Sequence, residues 1–216
     1  MKRTFKTVCL CAVMASALAV QAADVEKTSY FKLDAGLSIV NDIDIKNPQD
    51  LDFFDLGVTD VKLKTDPGVR VDLAGGYNFS KCWALEIEAG FTFNSIKELE
   101  ASAFGISGTE ELDMNLFQIP LLVNVIYRLP LDSKFKPYIG AGAGGVWSII
   151  SGDDVDSEND IAFAFQGMAG VDYELNDKTD IGIGYKFLGA LEQDFGGVKT
   201  ENIYTHAILA TFNFRF

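Results

Sequence analysis

Apolar and polar residues alternate with a period of two from Tyr30 to the last residue, the spacing of strands whose two faces meet different surroundings. In the first run Phe31, Leu33, Ala35, Leu37 and Ile39 share one face, and Lys32, Asp34, Gly36 and Ser38 share the other. The second sets Val69, Val71, Leu73 and Tyr77 against Arg70, Asp72, Ala74 and Gly76. The third sets Trp83, Leu85, Ile87, Ala89, Phe91 and Phe93 against Ala84, Glu86, Glu88, Gly90 and Thr92. In the fourth, Phe117, Ile119, Leu121, Val123, Val125 and Tyr127 oppose Gln118, Pro120, Asn124 and Arg128. The fifth, Pro137 to about Ile150, is too rich in Gly and Ala for its facing to be read. The sixth carries Ile161, Phe163, Phe165, Ala169, Val171 and Tyr173 against Gln166, Gly170 and Asp172. The seventh carries Ile181, Ile183, Tyr185 and Phe187 against Gly182, Gly184 and Lys186. The last sets Tyr204, Ile208, Phe212, Phe214 and Phe216 against Thr205, Thr211, Asn213 and Arg215. Each run spans roughly 9–13 residues, the length a tilted membrane-crossing strand needs.

The connections alternate too. Asn41–Asp66, Asn94–Asp113, Ser151–Asp160 and Gly189–Ile203 are the longer ones; Asn78–Cys82, Leu129–Lys136 and Glu174–Thr179 are short. Long extracellular loops alternating with short periplasmic turns mark a membrane barrel. The reading is therefore all-β: an eight-stranded antiparallel up-and-down transmembrane β-barrel over residues 23–216, with both mature termini periplasmic. Tyr77, Trp83, Tyr127, Tyr173 and Phe216 fall at the inferred periplasmic rim, and Trp147 and Tyr204 near the other, where amphipathic rings prefer the bilayer interface. A soluble lipocalin-like barrel also alternates. Its water-facing side would be dense in long charged side chains, whereas the polar face here is mostly Gly, Ala, Ser, Thr and Asn.

The first residues point to the same place. Lys2, Arg3 and Lys6 precede an apolar run from Val8 to Val20, and Val20-Gln21-Ala22 offers a cleavage site before Ala23. That is the layout of a secretory signal peptide over residues 1–22. The run is shorter than the about 20 residues of a membrane-spanning helix. Cys9 and Cys11 lie inside it, too early for lipoprotein processing, and Cys82 alone remains afterwards, so no intrachain disulfide is expected. Losing the three basic residues moves the formal net charge from −13 to −16. So acidic a chain is no partner for nucleic acid.

The stretches PYIGAGAGG (137–145) and FQGMAGVDYELNDKTDIGIGYKF (165–187), with the ending ATFNFRF (210–216), resemble the eight-stranded outer-membrane barrel superfamily. That group includes the membrane domain of outer membrane protein A, the opacity proteins and many "porin family" barrels. The resemblance implies residence in the bacterial outer membrane, among its lipids and lipopolysaccharide. It also implies that Phe212, Phe214 and Phe216 form the signal presented to the barrel-assembly machinery. Unlike outer membrane protein A, the sequence carries no peptidoglycan-binding domain, so no cell-wall tether is expected.

Candidate chemistry is sparse. Gly140-Ala-Gly142-Ala-Gly144-Gly145 contains G-x-G-x-x-G, but a dinucleotide site needs a helix directly afterwards and Val146-Trp147-Ser148 reads as more strand. His206 is the sole histidine. Some barrels of this superfamily are lipid A-modifying hydrolases with His and Ser near the outer leaflet, yet the same-face neighbour of His206 is Ile208. An interfacial histidine is the simpler reading, and no catalytic residue, metal site or cofactor is expected. Acidic loop residues, among them Asp42, Asp44, Asp50, Asp52, Asp55, Asp60, Asp153, Asp154, Asp156, Glu158 and Asp160, keep the loops solvated. They lack the spacing of a calcium loop, but could bridge through divalent cations to lipopolysaccharide phosphates.

The inward face carries Lys32, Arg70, Asp72, Glu86, Glu88, Arg128, Lys186 and Arg215. If a regular hairpin pairs Tyr77 with Trp83, Asp72 faces Glu88, and like charges across a ladder repel. The cations are expected to offset them in a salt-bridge network that plugs the lumen. The functional expectation is a structural barrel whose long loops contact an external ligand or host surface. A narrow solute pore and a lipid A hydrolase are the rivals.

Overall fold

The computed structural model describes residues 28–46, 58–103, 106–152 and 155–216; the signal segment 1–22 and Asp50, Asp52, Asp55, Asp153 and Asp154 lie outside them. The strands are β1 (Thr28–Val40), β2 (Ile43–Asp44), β3 (Val58–Thr65), β4 (Gly68–Asn78), β5 (Trp83–Ala103) and β6 (Ile106–Arg128). After them come β7 (Phe135–Gly152), β8 (Val155–Asn176), β9 (Thr179–Ala190), β10 (Asp194–Phe195), β11 (Val198–Lys199) and β12 (Ile203–Arg215). Eight of them, β1, β4, β5, β6, β7, β8, β9 and β12, pair in chain order and close where β1 meets β12. Every pairing is antiparallel, so this is an up-and-down barrel.

Alternation places the apolar rows outward. Leu37, Ile87, Leu121, Ile161, Ile183 and Ile208 are each exposed, from 59% to 73%. A contiguous apolar surface of that kind wraps the barrel, and only a hydrocarbon environment covers it. The glycine-rich β7 obeys the same rule: Ile139, Ala141, Ala143 and Trp147 point out, while Tyr138, Val146, Ser148 and Ile150 point in. At the short-turn end Trp83 packs on Tyr127 and Phe135 on Tyr173, with ring centroids 4.8 and 5.1 Å apart.

Three expectations are corrected. First, among the described residues the long connections carry more sheet than expected. β5 has 21 residues and β6 has 23, and Asn94–Asp113 is mostly their continuation rather than an open loop. About 9–11 residues suffice to cross a bilayer, so this hairpin stands well clear of the apolar band. β3 continues β4 along β5, Thr65 opposite Ile96 and Val69 opposite Phe93, with Pro67 at the break. Ser151–Asp160 is likewise mostly strand, and Gly189–Ile203 contains the β10–β11 hairpin, turned at Gly196 and Gly197 with φ of 62° and 96°.

Second, the β4–β5 turn shifts the register. Tyr77 pairs with Leu85 rather than Trp83, because Phe79 and Ser80 both donate their N–H to the Trp83 carbonyl and Ser80 Oγ accepts from the Trp83 N–H. Asp72 therefore faces Gly90, and Glu88 faces Ala74. Third, the inward face is not uniformly small and polar. Leu116, Leu122, Val146, Ile150, Leu188 and Ile203 form a buried apolar cluster at the long-loop end, joined by Ile43, Leu63 and Phe195.

Candidate functional site

The middle of the lumen is filled by charge. Arg70 reaches along its own strand to Asp72, Nε to Oδ1 at 2.9 Å, and its Nη2 donates to Glu88 Oε1 at 3.1 Å and Gln166 Oε1 at 2.6 Å. Lys186, from the opposite wall, meets three carboxylates: Asp34 at 2.8 Å, Asp72 at 2.7 Å and Glu88 at 2.9 Å. Gln166 and Asn124 each donate an amide N–H to Glu88. Arg70 and Glu88 are wholly buried and Lys186 is 2% exposed. Such charges are tolerated out of water only when paired and hydrogen-bonded on several sides. Strands β1, β4, β5, β6, β8 and β9 all contribute, so the cluster ties the walls together across the ring.

Glycine makes the room. A Cβ at Gly90 would run into the Asp72 carboxylate, at Gly142 into the Asn124 amide, and at Gly182 into Asp172. The same opening marks the wall ladder, because Pro120 lacks an N–H and the β5–β6 pairing skips Gly90 and Phe91.

Toward the short turns the polar filling continues in separate groups. Lys32 pairs with Asp34 at 3.6 Å and lies over the Tyr138 ring, 4.7 Å from its centroid. Glu86 accepts from Tyr30 Oη at 2.5 Å, and Arg128 stacks over that tyrosine while donating to Asn78 Oδ1. Asp172 accepts from Thr211 and Asn213. Arg215 is a correction: it sits at the rim, bound to Asp180 at 2.9 Å and to the carbonyls of Asn176 and Asp177, away from the central cluster. An open basin of about 760 Å³ lies at this end, lined by Tyr30, Asn78, Arg128, Asp180 and Arg215 among others. Toward the long loops Ser38 bonds Asn94 and Thr205 bonds Gln118, and above them the apolar cluster begins.

Of the residues singled out in the sequence, Arg70, Asp72, Glu88 and Lys186 come together. Lys32 joins them through Asp34. Glu86 and Arg128 meet at Tyr30, and Arg215 stands apart. Asp34, Asn124, Gln166 and Asp172 were passed over although parity already put each on the inward face. Their role depends on which distant strand lies across the lumen. Phe212 and Phe214 point outward on β12, and Phe216 follows its end, exposed, with its N–H donating to the Ser29 carbonyl.

His206 faces outward near the long-loop end. Its Nδ1 lies 2.6 Å from Tyr185 Oη, and its cross-strand neighbours are Phe187 and Ile39, so no serine is paired with it. Gly140 to Gly145 lie mid-strand, and β7 runs on to Gly152 with no helix.

A closed ring of eight strands with an apolar exterior and a filled interior is an integral membrane β-barrel. The family model of the outer membrane protein beta-barrel domain matches residues 10–216, and the chain belongs to that family. Its fold is similar to Neisserial surface protein A, at 16% identity and a TM-score of 0.57, covering 87% of this chain and 97% of that one. It is also similar to the outer membrane protein OprG from Pseudomonas aeruginosa, at 16% identity and a TM-score of 0.52, covering 88% and 97%. The outer membrane protease OmpT from Escherichia coli shares the fold at 7% identity and a TM-score of 0.51, covering 90% of this chain and 100% of that one. Identities this low speak for the fold alone. No curated protein sequence matches the chain.

Proposed function

We propose that this protein is a non-enzymatic scaffold of the outer membrane: a barrel with a plugged lumen that holds an acidic, largely β-structured surface outside the cell for contact with external partners. On this reading residues 1–22 are removed on export, both mature termini face the periplasm, and Phe212, Phe214 and Phe216 present the assembly signal. The observation that carries it is the buried Arg70–Asp72–Glu88–Lys186 cluster, which spans the lumen and leaves the long-loop end as the accessible surface. Loops on a rigid frame are where recognition commonly resides. A nucleophile beside His206, which a hydrolase needs, is not among its ladder partners.

The test has two arms. Purified protein in planar bilayers should show no steady conductance, and a stable open level in the wild type would favour the solute-pore rival. Cells carrying the intact barrel should adhere to host-type surfaces, and trimming the long connections should abolish adhesion while the barrel stays folded. Adhesion that survives trimming of all four would show that the contact surface lies elsewhere.

A further inference from the structure

Among the described residues, three lateral edges of the sheet beyond the apolar band can be followed, and they are treated differently. The edge of β3 is covered over Val61–Leu63, by β2 with Ile43 opposite Leu63 and Asp44 opposite Lys62, and by the Ile45 N–H donating to the Val61 carbonyl. β8 loses β9 as a partner beyond Ala164, but the segment after β9 covers it: the Leu191 N–H donates to the Phe163 carbonyl, and the Asp194 N–H to Asp160 Oδ2 at 2.9 Å. β6 has no such cover. β7 accompanies it only as far as Met114, opposite Gly152, whereas β5 stays with it to Ile106, opposite Ala103. Among the described residues, Ile106–Asp113 is thus paired on one side only. An edge strand of that length turns alternate N–H and C=O groups sideways, a ready template for another strand.

The edge is also acidic. Glu110 and Asp113 are exposed and Glu111 stands beside them. Among the described residues the cation bound there is Lys97, engaged by Asp113 at 3.1 Å. A second copy offering the same edge would set these carboxylates against each other, and like charges across a ladder are destabilising. A strand bearing Lys or Arg meets the opposite condition.

Resting on the reading that this end faces outward, we infer that Ile106–Asp113 is a docking edge for an extended, cationic peptide segment of an external protein, added as a further strand beside β6. The backbone supplies the hydrogen bonds, and Glu110, Glu111 and Asp113 select for positive charge.

The full chain in lipid nanodiscs tests this with three short peptide probes: alternating Lys and Thr, alternating Glu and Thr, and the Lys–Thr peptide N-methylated at alternate amides. The Lys–Thr peptide should bind at least about tenfold more tightly than the other two, a difference of about 1.4 kcal/mol. It should also slow amide hydrogen exchange within residues 106–113. The paired substitution Glu110→Lys and Glu111→Lys should reverse the charge preference while the barrel keeps its unfolding midpoint. Equal binding of the N-methylated peptide would reduce the effect to diffuse charge and overturn strand addition. So would unchanged exchange at 106–113. Cell adhesion that is lost on loop trimming but unmoved by the two lysine substitutions would leave the loop reading standing and sink the edge; adhesion indifferent to both would sink the two together.

Discussion

Two ion pairs in this protein have the same length and opposite settings. Lys186 meets Glu88 at 2.9 Å in the sealed lumen, and Lys64 meets Glu100 at 2.9 Å on the sheet beyond the membrane. The first pair has side-chain exposures of 2% and 1%, the second 40% and 32%. Distance is therefore no guide to what each contributes. In the lumen neither charge has water to return to, so each partner depends on the other. On the exposed sheet water and salt stand in for either partner, and such pairs often contribute nothing measurable.

The largest effect should follow from taking one member out of the sealed cluster. Lys186→Met leaves Asp34, Asp72 and Glu88 without their shared cation, and breaking a buried pair in this way costs about 3–5 kcal/mol. Glu88→Ala and Arg70→Ala should cost a similar amount and admit conductance through the loosened lumen. Unfolding in lipid vesicles and single-channel recording measure both; wild-type stability with no new conductance in both variants would mean that the cluster is not the plug.

The apolar cluster above gives the next effect. Leu116 is 1% exposed, and Leu116→Ala should cost about 2–5 kcal/mol through lost burial and an unfilled space. Its conductance should stay closed, because the charged cluster below is untouched. A current in this variant would move the seal from the ionic cluster to the apolar cap.

Deleting Phe216 should leave equilibrium stability nearly unchanged and slow insertion, with unfolded chain accumulating before the membrane. Pulse-labelled extraction follows this directly, and unaltered insertion kinetics would remove Phe216 from the assembly signal.

The smallest effect belongs to the exposed pair. The hydrogen bond from Lys64 holds the Glu100 carboxyl below the usual carboxylate range, and Glu100 in turn raises the Lys64 ammonium. A lowered carboxylate contributes above its unfolded-state pKa, about 4.3 for glutamate, and loses that contribution as pH falls through the lowered value. The raised lysine contributes below its unfolded-state pKa and loses that share as pH rises through the raised one. Lys64→Met should thus leave the global unfolding midpoint at neutral pH unchanged and raise only local exchange in the β3–β5 ladder. A shifted midpoint would mean that this exposed sheet and the barrel unfold as one unit.

Much of the barrel was legible from alternation, because a strand with lipid on one side and a lumen on the other must repeat every two residues. Which residues face inward on β1, β4, β5 and β9 follows from that, and so do the cations available to the lumen. Alternation says nothing about whether a polar, charged segment ends the strand or carries it past the membrane, so β5 and β6 were read as ending where their apolar faces end. Beyond Phe93 the outward residues Ser95 and Lys97 have left lipid, yet the backbone keeps its ladder because β3 and β6 still bond to it.

The choice of partners within the lumen was decided only in three dimensions. The β4–β5 turn moves the register so that Asp72 faces a glycine instead of Glu88, and both carboxylates become free to share Lys186 from the far wall. Arg215 is level with Tyr30, two inward positions nearer the rim than Asp34, and bonds Asp180 instead. The sequence by itself determined the period, the two faces and the charges brought inside. Which of those charges meet was left to closure of the ring, because a lumen contact joins strands far apart in the chain, and its geometry exists only once every register between them is set.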